Sequence, residues 1–116
     1  MNENREKHVK IAVPTNDGKN IFTRMLGMAE KMYVYEVVGK KFRLIEKRNN
    51  PYENTMQHLK TLDVYGLIKD CEIVISNMIG KKGIKRLEKR GVKLFFEKGE
   101  IKKALLKVIE GEFAKK

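Results

Sequence analysis

The stretch from Cys71 to Gly111 changes period three times, and that alternation restricts the fold more than anything else in the chain. "CEIVIS" (Cys71–Ser76) is a short apolar, β-branched run of the kind that forms a buried strand. "IGKKGIKRLEKRG" follows, with Ile84 and Leu87 at helical spacing and Gly91 placed as a left-handed stop. "VKLFF" reads as another strand. "EIKKALLKVIEG" then sets Ile101, Ala104, Leu105, Val108 and Ile109 on one helical stripe, with Gly111 expected to close it. Strands and helices alternating in this order call for parallel strands joined by right-handed crossovers.

The first half reads differently. "VKIAVP" (Val9–Pro14) is a short strand, with Pro14 expected to stop its ladder. "TNDGKN" is loop chemistry, and "IFTRMLGMAEK" fits neither period. "KMYVYEVV" (Lys31–Val38) is apolar on both faces, as an inner strand is. Gly39-Lys40 suits a two-residue hairpin turn. In "KFRLIEKR", Phe42 and Leu44 alternate with Arg43, which predicts a half-exposed strand with both apolar residues inward. "NNPYEN" breaks the chain, and Met56, Leu59, Leu62, Tyr65 and Ile68 predict a helix over about 55–70.

The predicted order is β-β-β-α-β-α-β-α. At 116 residues this makes one α/β domain: a mixed five-stranded sheet with helices packed on it, over residues 9–116, after a disordered polar tail at 1–8. Strands ending near Val13, Lys47, Ser76 and Phe96 would point the same way. Their carboxyl ends would share one rim, where open α/β sheets bind ligands. The rim loops would be about 14–29, 48–58, 77–82 and 97–100.

Several function classes are excluded early. No run of some 18 apolar residues exists to span a membrane. "MNENREKH" has no apolar signal core, so a cytoplasmic location is expected. The one cysteine, Cys71, can make neither an internal disulfide nor an all-cysteine metal site. It is expected to be a buried small hydrophobe, away from the rim. Two histidines, His8 and His58, are too few for an ordinary zinc site. Twenty-six Lys and Arg against 15 Asp and Glu give a net charge of +11, which favours an anionic partner over a cationic one.

"KIAVPTNDG", "YVYEV", "NNP" and "LIKDCEIVISNMIGKKGIKRLEKRGVKLFFEKGEIKKALLKVIEGEF", in that order and spacing, resemble the dinitrogenase iron–molybdenum cofactor biosynthesis family, the NifX/NafY-like domain. The resemblance runs from about Val9 to Phe113. It implies a ribonuclease H-like fold and a protein, not generally an enzyme, that binds, carries or delivers an iron–molybdenum or related metal–sulfur cluster. It also implies partners that make or accept that cofactor. The sequence departs from the family in the stretch after its first loop, which reads "TRMLGMA". Met25 stands where the family has a histidine, Leu26 where it has phenylalanine and Met28 where it has arginine, while Gly27 and Ala29 are kept. Met78 replaces a glycine of the third loop, and Gly80 is kept. His58, seven residues after Pro51, is the nearest candidate for the histidine expected after Asn-Pro.

The candidate cofactor contacts are therefore Met25, Gly27, Met78, Gly80, Lys81 and Lys82, with His58 as a candidate metal ligand. Met25, Met28, Met56 and Met78 could supply soft thioethers, or could fill space that relatives leave open. Catalysis has little support: there is no G-x-S-x-G, no Walker loop, and no acidic residue on the first strand to hold nuclease metals. The basic face is richer. Lys81, Lys85 and Lys89 form one i,i+4 row, and Lys82, Arg86 and Arg90 the next. A lysine in a helix's first turn opposes the dipole at a cost of about 0.3–1 kcal/mol, which a bound anion would remove. "IGKKG" also looks like the Gly-x-x-Gly loop of KH domains, but it follows a strand where that loop joins two helices. The alternative function is a basic adaptor that binds RNA non-specifically, or an acidic protein, through the helix at 81–90.

Overall fold

The computed structural model of the protein describes residues 8–50 and 66–113. Five strands form one sheet in the order β3-β2-β1-β4-β5. They are β1 (His8–Thr15), β2 (Lys31–Val38), β3 (Lys41–Asn49), β4 (Ile73–Ser76) and β5 (Lys93–Phe96). β2 pairs antiparallel with both β1 and β3, while β4 pairs parallel with both β1 and β5. The mixed sheet predicted from the alternation is therefore present. β1, β3, β4 and β5 run the same way, and Thr15, Asn49, Ser76 and Phe96 end on one rim as expected. Most of the helix predicted over 55–70, with Met56 and His58, lies outside the described residues, as do residues 1–7 of the polar tail.

Helix α1 (Lys81–Lys89) and helix α2 (Ile101–Phe113) cover opposite faces of the sheet. α2 lays Ile101, Ala104, Leu105, Val108 and Ile109 on Ile11, Val13, Tyr33, Tyr35, Ile73 and Ile75. On the other face Leu87 of α1 joins Ala12, Met32, Val34, Val74 and Val92. α1 stops where Gly91 takes φ +83°, its N–H donating to the Glu88 carbonyl and that of Val92 to Leu87. This pair of bonds satisfies carbonyls that the helix end would otherwise leave open.

Four local expectations are corrected. β1 begins at His8 and runs past Pro14 to Thr15. Proline removes a donor but keeps its carbonyl, and that of Pro14 accepts from Phe22 N–H at 2.9 Å. Gly111 does not close α2, which continues to Phe113; one glycine late in a well-anchored helix costs only about 1 kcal/mol. In β3 the register shifts opposite Val34/Tyr35, so Ile45 is an extra residue that packs on the α1 side while Leu44 is left exposed.

The same shift aims Arg48 at the segment before β4. Arg48 donates to both carboxylate oxygens of Asp70, at 2.8 and 2.9 Å, and to the Leu67 carbonyl; Lys10 Nζ donates to Asp70 at 3.2 Å. The guanidinium holds the Asp70 carboxyl well below the usual carboxylate range. A folded pKa lower than the unfolded one adds stability above the unfolded value of about 4, and that stability is lost as pH falls towards the folded one. Asp70→Asn should therefore lower stability at neutral pH and flatten the acid limb of a stability–pH curve. Parallel wild-type and variant curves below pH ~4 would show that the pair contributes nothing.

Candidate functional site

Among the described residues, three loops bring the candidate residues together at the rim. In the first, Thr15 Oγ1 donates to the Asn20 carbonyl at 2.7 Å and accepts from Gly18 N–H at 2.9 Å. Asp17 accepts from the N–H groups of Lys19 and Asn20 at 2.9 and 2.8 Å, which holds its carboxyl well below the usual range. Gly18 sits at φ +77°, and a Cβ there would lie 2.5 Å from the Tyr33 hydroxyl oxygen. The turn is therefore both left-handed and too close to the tyrosine for a side chain.

The stretch that fitted neither period is the second loop, and one short 3-10 turn (Leu26–Met28) gives it shape. It docks on the third loop. A single parallel bridge pairs Met25 with Met78, and Leu26 N–H donates to the Met78 carbonyl at 2.9 Å. Ser76 Oγ donates to that same carbonyl at 3.1 Å. Asn77 Nδ2 reaches back to the Thr23 carbonyl at 2.8 Å. Asn50, at the end of β3, closes the other side. Its side-chain amide donates to the carbonyls of Gly27 and Ala29 at 2.9 and 2.8 Å, and the residue is only 2% exposed.

Met25, Gly27, Met78 and Gly80 are thus gathered in one place. The Met25 methyl would lie 3.7 Å from a Cβ at Gly80. Paired residues of a parallel bridge point to the same side, and both methionines are open to solvent, Met25 at 40% and Met78 at 45%. They line the rim surface and do not plug a closed pocket. Gly80 is the N-cap of α1, so no side chain caps the helix, and the first turn holds no acid. Lys81 and Lys82 follow at once, both exposed. The rest of the basic face (Lys85, Arg86, Lys89 and Arg90) is exposed on the same helix. None of these six cations makes an ion pair among the described residues. His58 lies outside the described residues.

Cys71 is buried at the amino end of the β4 segment, opposite the rim, and burial pushes its thiol up to about 12. No group of three or more His, Cys, Asp or Glu able to hold a metal occurs among the described residues. A metal–sulfur cluster would thus find no thiolate anchor at the rim. The residues present fit a cluster held without covalent bonds, by helix N–H groups, ammonium groups and thioether contact. Asn50, Asn77 and Ser76 were not singled out from the sequence as site-building residues. For Asn50 the signal was present in "NNP", since an Asn directly before a proline is placed to bond neighbouring backbone.

No described helix is long and apolar enough to cross a membrane. The fold is shared with solved structures of low sequence identity. A crystal structure named PH0822 is 20% identical, with a TM-score of 0.73, over 90% of this chain and 93% of that one. The apo form of the orange protein from Desulfovibrio gigas is 16% identical, with a TM-score of 0.71, over 93% of this chain and 92% of that one. No match was found among curated proteins. The family model described as dinitrogenase iron-molybdenum cofactor matches residues 7–111, nearly the whole chain, and this protein therefore belongs to the dinitrogenase iron–molybdenum cofactor family.

Proposed function

We propose that this protein is a non-enzymatic binder or carrier of a metal–sulfur cluster of the iron–molybdenum type, or of a related anionic cofactor, at the rim. Family membership supports a cofactor-associated role. The observation that carries the reading to a place is the uncapped start of α1 beside the Met25–Met78 bridge. Free N–H groups and two exposed lysines belong to this first turn, and nothing acidic in it competes for them. The two thioethers add soft, polarisable contact for sulfur or a soft metal. A cofactor-synthesising or cofactor-accepting protein is the partner such a carrier requires.

The test is anaerobic reconstitution with iron, molybdate and sulfide, followed by desalting, elemental analysis and the visible spectrum. Wild-type protein should retain metal and sulfide with a charge-transfer band. Lys81→Gln with Lys82→Gln should lower retention about tenfold and remove its sensitivity to salt, because each exposed charge contributes about 0.3–1 kcal/mol and two are removed. Equal retention by wild type and double variant would sink the assignment of this turn. No retention by either would sink the carrier reading.

A further inference from the structure

Strand alternation decides which side of the sheet each rim residue serves. Val74 and Leu94 pack on the α1 side, Ile75 and Phe95 on the α2 side. The next register pair, Ser76 with Phe96, therefore points to the α1 side again. There Phe96 is 50% exposed, at the end of the sheet from which α1 starts. With Met25 and Met78 it accounts for three of the five exposed large hydrophobic residues among those described. Among the described residues, exposed large apolar side chains are thus concentrated at one end of α1.

Cationic charge lies beside it. Some cations outside α1 are held in ion pairs: Lys10 and Arg48 with Asp70, Arg43 with Glu36, Lys107 with Glu97. Lys81, Lys82, Lys85, Arg86, Lys89 and Arg90 show no ion pair among the described residues, and Lys81 and Lys82 stand at the end of α1 where the apolar spot lies.

We infer that Phe96, with the rim methionines at the same end of α1 and the outer cations running along that helix, is a docking surface for an acidic protein whose carboxylates flank an apolar knob. Aromatic residues and Met at the centre with charge at the edge is the composition of a protein interface. A single-stranded nucleic acid would need several aromatics to stack successive bases, and this surface offers one, Phe96, beside two thioethers. The surface stands on exposure and charge alone. Its use as the face across which cofactor is exchanged rests on the carrier reading, because the docked protein would sit over the rim.

The experiment uses the full apo chain and fluorescence anisotropy at moderate salt. Three probes are compared: a short peptide with a Leu-Phe pair flanked by glutamates, the same peptide with that pair changed to serines, and a uridine oligonucleotide. The Leu-Phe peptide should bind about tenfold tighter than the serine peptide. Phe96→Ser should bring the two peptides level. Arg86→Glu with Lys89→Glu should weaken both peptides about tenfold and reduce the salt dependence. None of the three residues belongs to the proposed cofactor contacts, and because Phe96 is half-buried, binding is measured well below each variant's thermal midpoint. Tighter binding of the oligonucleotide than of the Leu-Phe peptide overturns the proposal in favour of nucleic acid. So does indifference to Phe96→Ser, or no peptide binding at all, whatever the outcome of cluster reconstitution.

Discussion

Asn50→Ala is expected to destabilise the protein by about 2–4 kcal/mol and to release the second loop from the rim. The Asn50 amide is the partner of two carbonyls, Gly27 and Ala29, and Ala29 is fully buried. Leaving a buried acceptor unpaired costs about 1–3 kcal/mol, and here two acceptors are left by one change. The backbone bond from Asn50 N–H to the Glu30 carbonyl would remain, so the chain would still turn at this point. Met25 and the 3-10 turn would lose the support on their β3 side. Urea unfolding measures the stability, and amide exchange at residues 24–30 measures the release. Asn50→Asp separates hydrogen bonding from volume. It is nearly isosteric but aims oxygens at the two carbonyls, so it should cost at least as much as alanine. A mild Asp variant, or loop exchange unchanged in the alanine variant, would show that these bonds do not hold the loop.

How far the sequence carried this reading depended on whether the local period and the tertiary contacts agreed. They agree from Cys71 to the last turn of α2, where Gly111 looked like a stop and is not one. Parallel strands and the stop at Gly91 follow from apolar spacing and one glycine, because each element there is regular. They disagree where backbone geometry alone decides. Strict alternation could not place Leu44 outside and Ile45 inside, because the bulge in β3 is set by pairing with β2 and leaves no mark on the strand's own composition. Pro14 looked like a terminator because its missing donor is visible in the sequence, while its carbonyl's partner, Phe22, belongs to a loop. The second loop had no readable period because its shape comes from bonds to Met78, Asn50 and Asn77, all far away in the chain. Family pattern located Met25 and Met78 as neighbours of interest. The bridge between them, and their joint exposure, required the fold.

Leu87→Ala is expected to be the most damaging single change on the α1 side, at about 2–5 kcal/mol. α1 is short, and its outer faces carry little but charge. Gly83 and Leu87 are its buried residues, with Ile84 packed partly against the same cluster. Gly83 contributes no side chain, so Leu87 is the main apolar anchor of a helix that also holds five cations against one acid, Glu88. Their repulsion is tolerable only while the helix is pinned, since like-charged i,i+4 neighbours weaken a helix by a few tenths of a kcal/mol per pair. Truncation to alanine leaves a cavity in the cluster that Leu87 shares with Val74 and Val92, and the cavity term adds to the lost transfer energy. The consequence for function should exceed that for fold. β1, β2 and β3 with α2 bury their own cluster on the other face, so the sheet should persist while α1 becomes mobile. Thermal unfolding would report the loss of stability. Cluster retention and acidic-peptide binding, both measured well below the variant's midpoint, would report the loss of α1. If both binding activities survive in a destabilised Leu87→Ala protein, then neither depends on a docked α1, and the cations must act as a diffuse charge instead of a placed one.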